Sequence, residues 1–260
     1  MFRALLVLIT LLTLTPILGS TLVVAAFLGV KRTPNGIYQR CARLWARGIN
    51  AAAGVTVRLH GTENISNQGS HVYVSNHVSW FDVFALAATL RNYSFVAKAE
   101  LQKIIFFGRA AKAFGLVFIH RANRKAAFDA YREAAAQVKG GMSVVVYPEG
   151  TRGFDYHLRP FKKGPFVLAI GAGVPIVPTI VMGAIEVMRK GSPLIRSGPV
   201  DVHFLEPIPT SGYSYDQRDE LMQVVWNRMA SAMEAMYGVG TAEHPIAKEG
   251  NTKKLPSSFL

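Results

Sequence analysis

His77 and Asp82 stand five positions apart in the run Ser75-Asn76-His77-Val78-Ser79-Trp80-Phe81-Asp82. An imidazole takes and returns a proton near neutral pH. A carboxylate bonded to one ring nitrogen fixes the tautomer and leaves the other nitrogen free. On one regular helix the two side chains would be separated by about 140° and could not meet. With His77 in the loop ahead of a helix, its ring can fold back over the first turn and reach Asp82. That is a base with an orienting partner and no built-in nucleophile. Ser79 lacks the G-x-S-x-G turn that exposes a serine nucleophile. A purely structural reading competes with this one. Ser79 and Asp82 also form S-x-x-D, a near relative of the capping box, in which Asp82 satisfies backbone donors and His77 is a surface histidine.

Three further clusters carry reactive or anion-binding side chains. Val144-Val145-Val146-Tyr147-Pro148-Glu149-Gly150-Thr151-Arg152 is an apolar strand that breaks at Pro148 into a charged turn, where Gly150 permits tight backbone. It offers Glu149 and Arg152 at a strand end, and the planar fork of an arginine suits a phosphate. The plain alternative is a surface ion pair of little energetic weight. Lys162 and Lys163 add positive charge shortly afterwards. Gly115 to Ile119 delivers His120 and Arg121 at the end of another apolar run. Val174-Pro175-Ile176-Val177-Pro178 is a rigid apolar segment, by itself a strand flanked by prolines.

The elements that position these clusters alternate. Val55–Leu59, Val72–Ser75, Phe95–Ala97, Val117–Ile119, Ser143–Tyr147, Ile176–Met182 and Val200–Phe204 read as strands. Ser79–Leu90, Ala99–Phe114, Arg124–Lys139, Pro165–Ala172 and Asp216–Tyr237 read as helices. The last has Leu221, Val225, Met229, Met233 and Met236 at helical spacing, a core stripe. Such alternation predicts an α/β domain with a central mixed sheet flanked by helices.

The chain has 260 residues, half of them hydrophobic, and this excludes disorder as the main state. Its single cysteine, Cys41, excludes an internal disulfide framework and a cysteine-based zinc site. The net charge of +13 attracts polyanions. No basic stripe interleaved with stacking aromatics argues for nucleic acid. Ala4 to Val30 carries no charged side chain and exceeds the ~20 residues that cross a bilayer, with Pro16 and Gly19 in its middle. Spanning and re-entrant forms both fit it. Lys31, Arg32, Arg40, Arg43 and Arg47 follow it and favour a cytoplasmic catalytic side. Residues 36–54 form an amphipathic helix with Tyr38, Cys41, Leu44 or Trp45, and Ile49 on its apolar face. That helix can lie on anionic headgroups or simply pack. The reading divides the chain into a membrane anchor at 1–35, an interfacial helix at 36–54, a catalytic domain at 55–240 and a polar tail at 241–260.

In their order, N-H-x-x-x-x-D, an apolar run ending in Arg, P-E-G-T-R and V-P-I-V-P resemble the glycerolipid acyltransferase family, bacterial 1-acyl-glycerol-3-phosphate acyltransferases in particular, over about residues 55–210. The resemblance implies that His77 is the general base and Asp82 its partner. It implies that Glu149, Gly150, Thr151, Arg152 and Arg121 bind the acceptor, with Lys98 of Lys98-Ala99-Glu100-Leu101 aiding its phosphate. Val174 to Pro178 would shape the acyl-donor channel. The implied reaction transfers an acyl chain from acyl-CoA or acyl carrier protein to the sn-2 hydroxyl of 1-acyl-glycerol-3-phosphate, without metal or cofactor, at the cytoplasmic (inner) membrane. Other acceptors are glycerol 3-phosphate, another lysophospholipid or a lyso-aminolipid. A non-enzymatic, membrane-tethered binder of anionic lipid is the reading from another class. Tyr147 stands where the family usually has Phe, and His120 where an acidic or amide residue often precedes the Arg.

Overall fold

A computed structural model describes residues 1–65, 69–120 and 124–240. Arg121 and the tail 241–260 lie outside the described residues. After two N-terminal helices, α1 (Phe2–Phe27) and α2 (Ile37–Ala53), strands and helices alternate. They run β1 (Val55–His60), β2 (Val72–Ser75), α3 (Trp80–Thr89), β3 (Tyr93–Lys98), α4 (Phe107–Phe114), β4 (Val117–Ile119), α5 (Arg124–Lys139) and β5 (Ser143–Val146). Then follow α6 (Gly164–Ala172), β6 (Ile176–Met182), α7 (Ala184–Val187), β7 (Gly198–Phe204) and α8 (Arg218–Tyr237). The expected α/β class with a central mixed sheet is what forms.

The sheet has seven strands in the order β1-β7-β6-β2-β5-β3-β4. All neighbours are parallel except β6 and β7, so β1 and β7 run against the other five. Side chains alternate across it with period two. Tyr73, Val145, Val177 and Val181 enter the core shared with α1 to α4. Val72, Val74, Val144, Val146, Ile176 and Ile180 enter the core shared with α5, α6 and α8. A strand covered on both faces must be apolar throughout, which explains the unbroken runs read from the sequence. The stripe of α8 is core at Leu221, Val225, Met229 and Met233, while Met236 is exposed.

One expectation needs revision. The continuous helix Ala99–Phe114 is instead a 3₁₀ segment, Ala99–Lys103, followed by a turn and then α4. Phe106 takes φ 62°, rare for an aromatic residue. A Cβ at Gly108 would overlap the Gln102 carbonyl, so the two pieces fold back against each other only because Gly108 has none. The apolar face of α2 is used for packing: Tyr38, Cys41 and Ile49 are buried and Leu44 is exposed. Asn50 Nδ2 donates to the Phe84 carbonyl at 3.1 Å, and Gln39 Nε2 to that of Tyr93 at 3.0 Å. These bonds lock α2 to α3 and β3.

α1 is long and apolar enough to cross a membrane by length and composition. It also packs on the domain. Val7, Leu22 and Ala25 are buried, Trp45 Nε1 donates to Thr15 Oγ1 at 2.9 Å, and Gly19 lets Ala110 of α4 approach closely.

Candidate active site

Five parallel strands point their C-terminal ends at one edge of the sheet. β2 and β5 are neighbours there, with Val74 opposite Val146, so the loops that follow them must meet. The Asn76 amide extends the ladder by one residue. Its Oδ1 accepts from Val181 N at 2.8 Å and its Nδ2 donates to Val181 O at 2.9 Å. His77 is thereby placed in a loop, one residue past an anchored position and before α3 begins.

Asp82 lies in the first turn of α3 and is fully buried. Its Oδ2 accepts from His77 Nδ1 at 2.9 Å, Val78 N at 2.6 Å and Ser79 N at 2.8 Å. The two sequence readings of this carboxylate are therefore true together. It caps the helix, and the cap is what brings the ring to it. Ser79 turns its hydroxyl away, donating to Met188 O at 2.7 Å. The imidazole stacks on Tyr147, centroids 4.0 Å apart and planes 20° from parallel. With Nδ1 held by an acceptor-only carboxylate, Nε2 is the nitrogen left to accept a proton. The His77 side chain is 15% exposed, lining a cleft of about 2820 Å³.

The β5 loop is tied to the β2 loop by two bonds. His77 N donates to Glu149 Oε1 at 2.8 Å, and Gly153 N donates to His77 O at 2.7 Å. Glu149 Oε2 accepts from Arg159 Nε at 2.8 Å, and Arg159 Nη2 also donates to Thr151 O. Glu149 is thus a brace for the His77 backbone, with both carboxylate oxygens engaged inside the protein. Burial pushes its carboxyl up to about 7, against the pull of the Arg159 guanidinium. Arg152 packs its guanidinium 5.0 Å above the Trp80 ring. Burial lowers its pKa, and the Asp82 charge opposes that shift.

Gly150, Thr151, Arg152 and Lys98 all line the cleft with His77. Lys98 ends β3 and pairs with Glu100 at 3.3 Å, both side chains exposed. Gly150 takes φ 77°, and the aliphatic stem of Lys162 passes over the space a Cβ would fill. Val174 to Pro178 do not join them. They occupy the start of β6, where Ile176 to Pro178 pair with Val72 to Val74 and are buried, and none lines the cleft. The expected channel role is corrected by strand direction: β6 runs parallel to β2, so its proline-flanked start lies at the sheet edge opposite His77. Arg121 lies outside the described residues.

Sequence reasoning missed Arg159, Trp80 and the bracing role of Glu149. Trp80 stood inside the inspected run but had no evident chemistry. Arg159 lies beyond the motif, and no local pattern marks it.

On its α1 side the cleft is lined by Leu8, Leu12 and Pro16; on the α5, α6 and α8 side its lining includes Lys125, Lys163 and Arg218. The volume exceeds the roughly 300–1,000 Å³ of ordinary small-molecule sites. A proton acceptor, two cations lining the same cleft and an apolar stretch along α1 suit transfer chemistry on an anionic amphiphile.

Residues 56–182 match the family model described as Acyltransferase, a segment that holds His77, Asp82 and the Pro148–Arg152 turn. Over that segment the chain carries an acyltransferase-family domain. Among curated members of this family, it is 35% identical over 194 residues to 1-acyl-sn-glycerol-3-phosphate acyltransferase BAT2, chloroplastic, of Brassica napus, covering 74% of this chain and 55% of that protein. It is 32% identical over 195 residues to LPAT1, chloroplastic, of Arabidopsis thaliana, covering 74% of this chain and 53% of the relative. The chain spans about half the length of these curated acyltransferases. In fold it matches the crystal structure of the 1-acyl-sn-glycerophosphate acyltransferase PlsC from Thermotoga maritima. The TM-score is 0.75 at 23% identity, covering 90% of this chain and 96% of that one.

Proposed function

We propose that this chain transfers an acyl group from a thioester donor, acyl-CoA or acyl carrier protein, to the free sn-2 hydroxyl of 1-acyl-glycerol-3-phosphate, yielding phosphatidic acid. One observation carries the reading. His77, oriented by the buried Asp82, lines the same cleft as Arg152 and Lys98, and that cleft extends along the apolar surface of α1. The names of the plant relatives point to the same acceptor.

In the proposed reaction His77 Nε2 takes the proton of the acceptor hydroxyl as its oxygen attacks the thioester carbonyl. Asp82 steadies the imidazolium that forms. The carbonyl re-forms, the carbon–sulfur bond breaks, and His77 returns the proton to the departing thiolate. Arg152 and Lys98 hold the acceptor phosphate, and Glu149 sets the His77 backbone beneath the reacting oxygen. The acceptor's own acyl chain follows the apolar branch toward α1. In this reading α1 holds the chain at a bilayer, with the catalytic domain on the cytoplasmic side.

The test is a mass-spectrometric product assay on the purified full chain. Acyl-CoA and acyl carrier protein donors are each offered with 1-acyl-glycerol-3-phosphate, glycerol 3-phosphate and lysophosphatidylcholine. Phosphatidic acid as the dominant product supports the proposal. Preference for another acceptor, or release of free fatty acid alone, overturns it. His77→Ala is expected to lower turnover by roughly 10²–10⁴-fold with the fold intact.

A further inference from the structure

Ile104, Ile105 and Phe106 are consecutive, large and apolar, and they are exposed at 50%, 79% and 54%. Nothing in the proposed chemistry uses them. Their exposure follows from the fold. Gly108 brings α4 back against the Gln102 carbonyl, and the residues between are extruded as a tight turn with Phe106 at positive φ. All three carbonyls of the turn accept within it: Ile104 O from Gly108 N at 2.8 Å, Ile105 O from Phe107 N at 2.8 Å and Phe106 O from Ala110 N at 3.2 Å. The turn therefore presents apolar side chains over carbonyls that are already bonded, which a non-aqueous environment demands.

Its setting defines the partner. α4 crosses α1 at Gly19, with Ala110 and the Phe106 carbonyl close by, so the turn stands beside α1. α1 exposes Leu5, Leu8, Ile9, Leu12 and Ile17. Ile104 to Phe106 share the lining of the cleft with Leu8 and Leu12, so helix and turn flank one opening. Lys103, Arg109 and Lys112 are exposed around the turn. Apolar tips ringed by cations match the acyl boundary and headgroups of an anionic leaflet.

We propose that the Ile104–Phe106 turn is a bilayer-insertion element separate from α1, seated in an anionic leaflet so that the apolar end of the cleft opens between two lipid-embedded walls. The inference goes beyond the catalytic reading and does not depend on it.

The experiment places an environment-sensitive NBD label at Ile105→Cys in the full chain and adds vesicles of phosphatidylcholine and phosphatidylglycerol. The native thiol, Cys41, is buried, and the parent chain reports any background labelling. A second labelled variant, Ser231→Cys on α8, supplies a position on the other face of the sheet. Blue-shifted emission at 105, quenched by nitroxide on lipid acyl chains, is expected, with water-like emission at 231. Water-like emission at 105 while the chain sediments with the vesicles overturns the proposal. So does a shift at 105 that grows with protein concentration in the absence of lipid, since it assigns the patch to a second copy. Ile105→Asp is expected to weaken vesicle partitioning about ten-fold. Unchanged partitioning also counts against the turn.

Discussion

Asp82 Oδ2 accepts three hydrogen bonds at once, and only one comes from an imidazole. Helix capping and the orientation of His77 are one piece of geometry, so neither is removed without the other. The brace below is more separable. Arg159 holds Glu149, and Glu149 holds His77 N, yet neither side chain touches His77's ring. Arg159→Ala is expected to lower kcat about 10–100-fold with little change in KM, and Arg159→Lys to recover part of it, because small misplacements of a base are costly. An equal effect on KM would instead make Arg159 a substrate contact. Glu149 also sets a pH dependence. Its ordinary value of 4.5 rises to about 7 in the folded chain, so the folded state holds this proton more tightly. The stability it contributes is full below about 4.5 and is lost as pH rises through about 7, a swing of about 3 kcal/mol. Glu149→Gln should lack that slope in thermal melts from pH 4 to 8. Activity runs the other way, since the brace pairs best with Arg159 when ionised. A fall in wild-type rate below about pH 7 that persists unchanged in Glu149→Gln would remove Glu149 as its source.

α1 serves the domain twice, as wall and as candidate anchor. Its buried Val7, Leu22 and Ala25 belong to the same core as α2 and α3. Deleting residues 1–30 is expected to move much of the chain out of the membrane fraction and also to lower Tm by several degrees, since apolar burial is lost. A deletion that remains wholly membrane-bound would make another surface the principal anchor. The elements also show what one sequence can disclose. Strands buried on both faces announce themselves as unbroken apolar runs, and β2, β4 and β6 were legible to the residue. His77 to Asp82 and Pro148 to Arg152 were legible because each cluster is local. Which sheet edge a segment occupies is not local. Val174 to Pro178 read equally well at either edge, and the strand's parallel pairing with β2 decides it. The break ahead of α4 was hidden because Ile104 and Ile105 stand three and four residues after Leu101, as on one face of a continuous helix. It depends on the close approach of Gly108 to the Gln102 carbonyl, a short-range backbone contact that apolar periodicity does not mark.

At the scale of the whole molecule, the cleft follows one edge of the sheet and is lined from both faces, by α1 and α4 on one side and by α5 and α6 on the other. With the proposed acceptor lying along α1, the part of the cleft lined by α5 and α6 is left for the proposed thioester donor. Both reactants can be resident together, and no acyl-enzyme has to bridge successive visits. Initial velocities measured against each reactant at several fixed levels of the other should then give double-reciprocal lines that intersect. Parallel lines would indicate a ping-pong sequence with a covalently loaded enzyme.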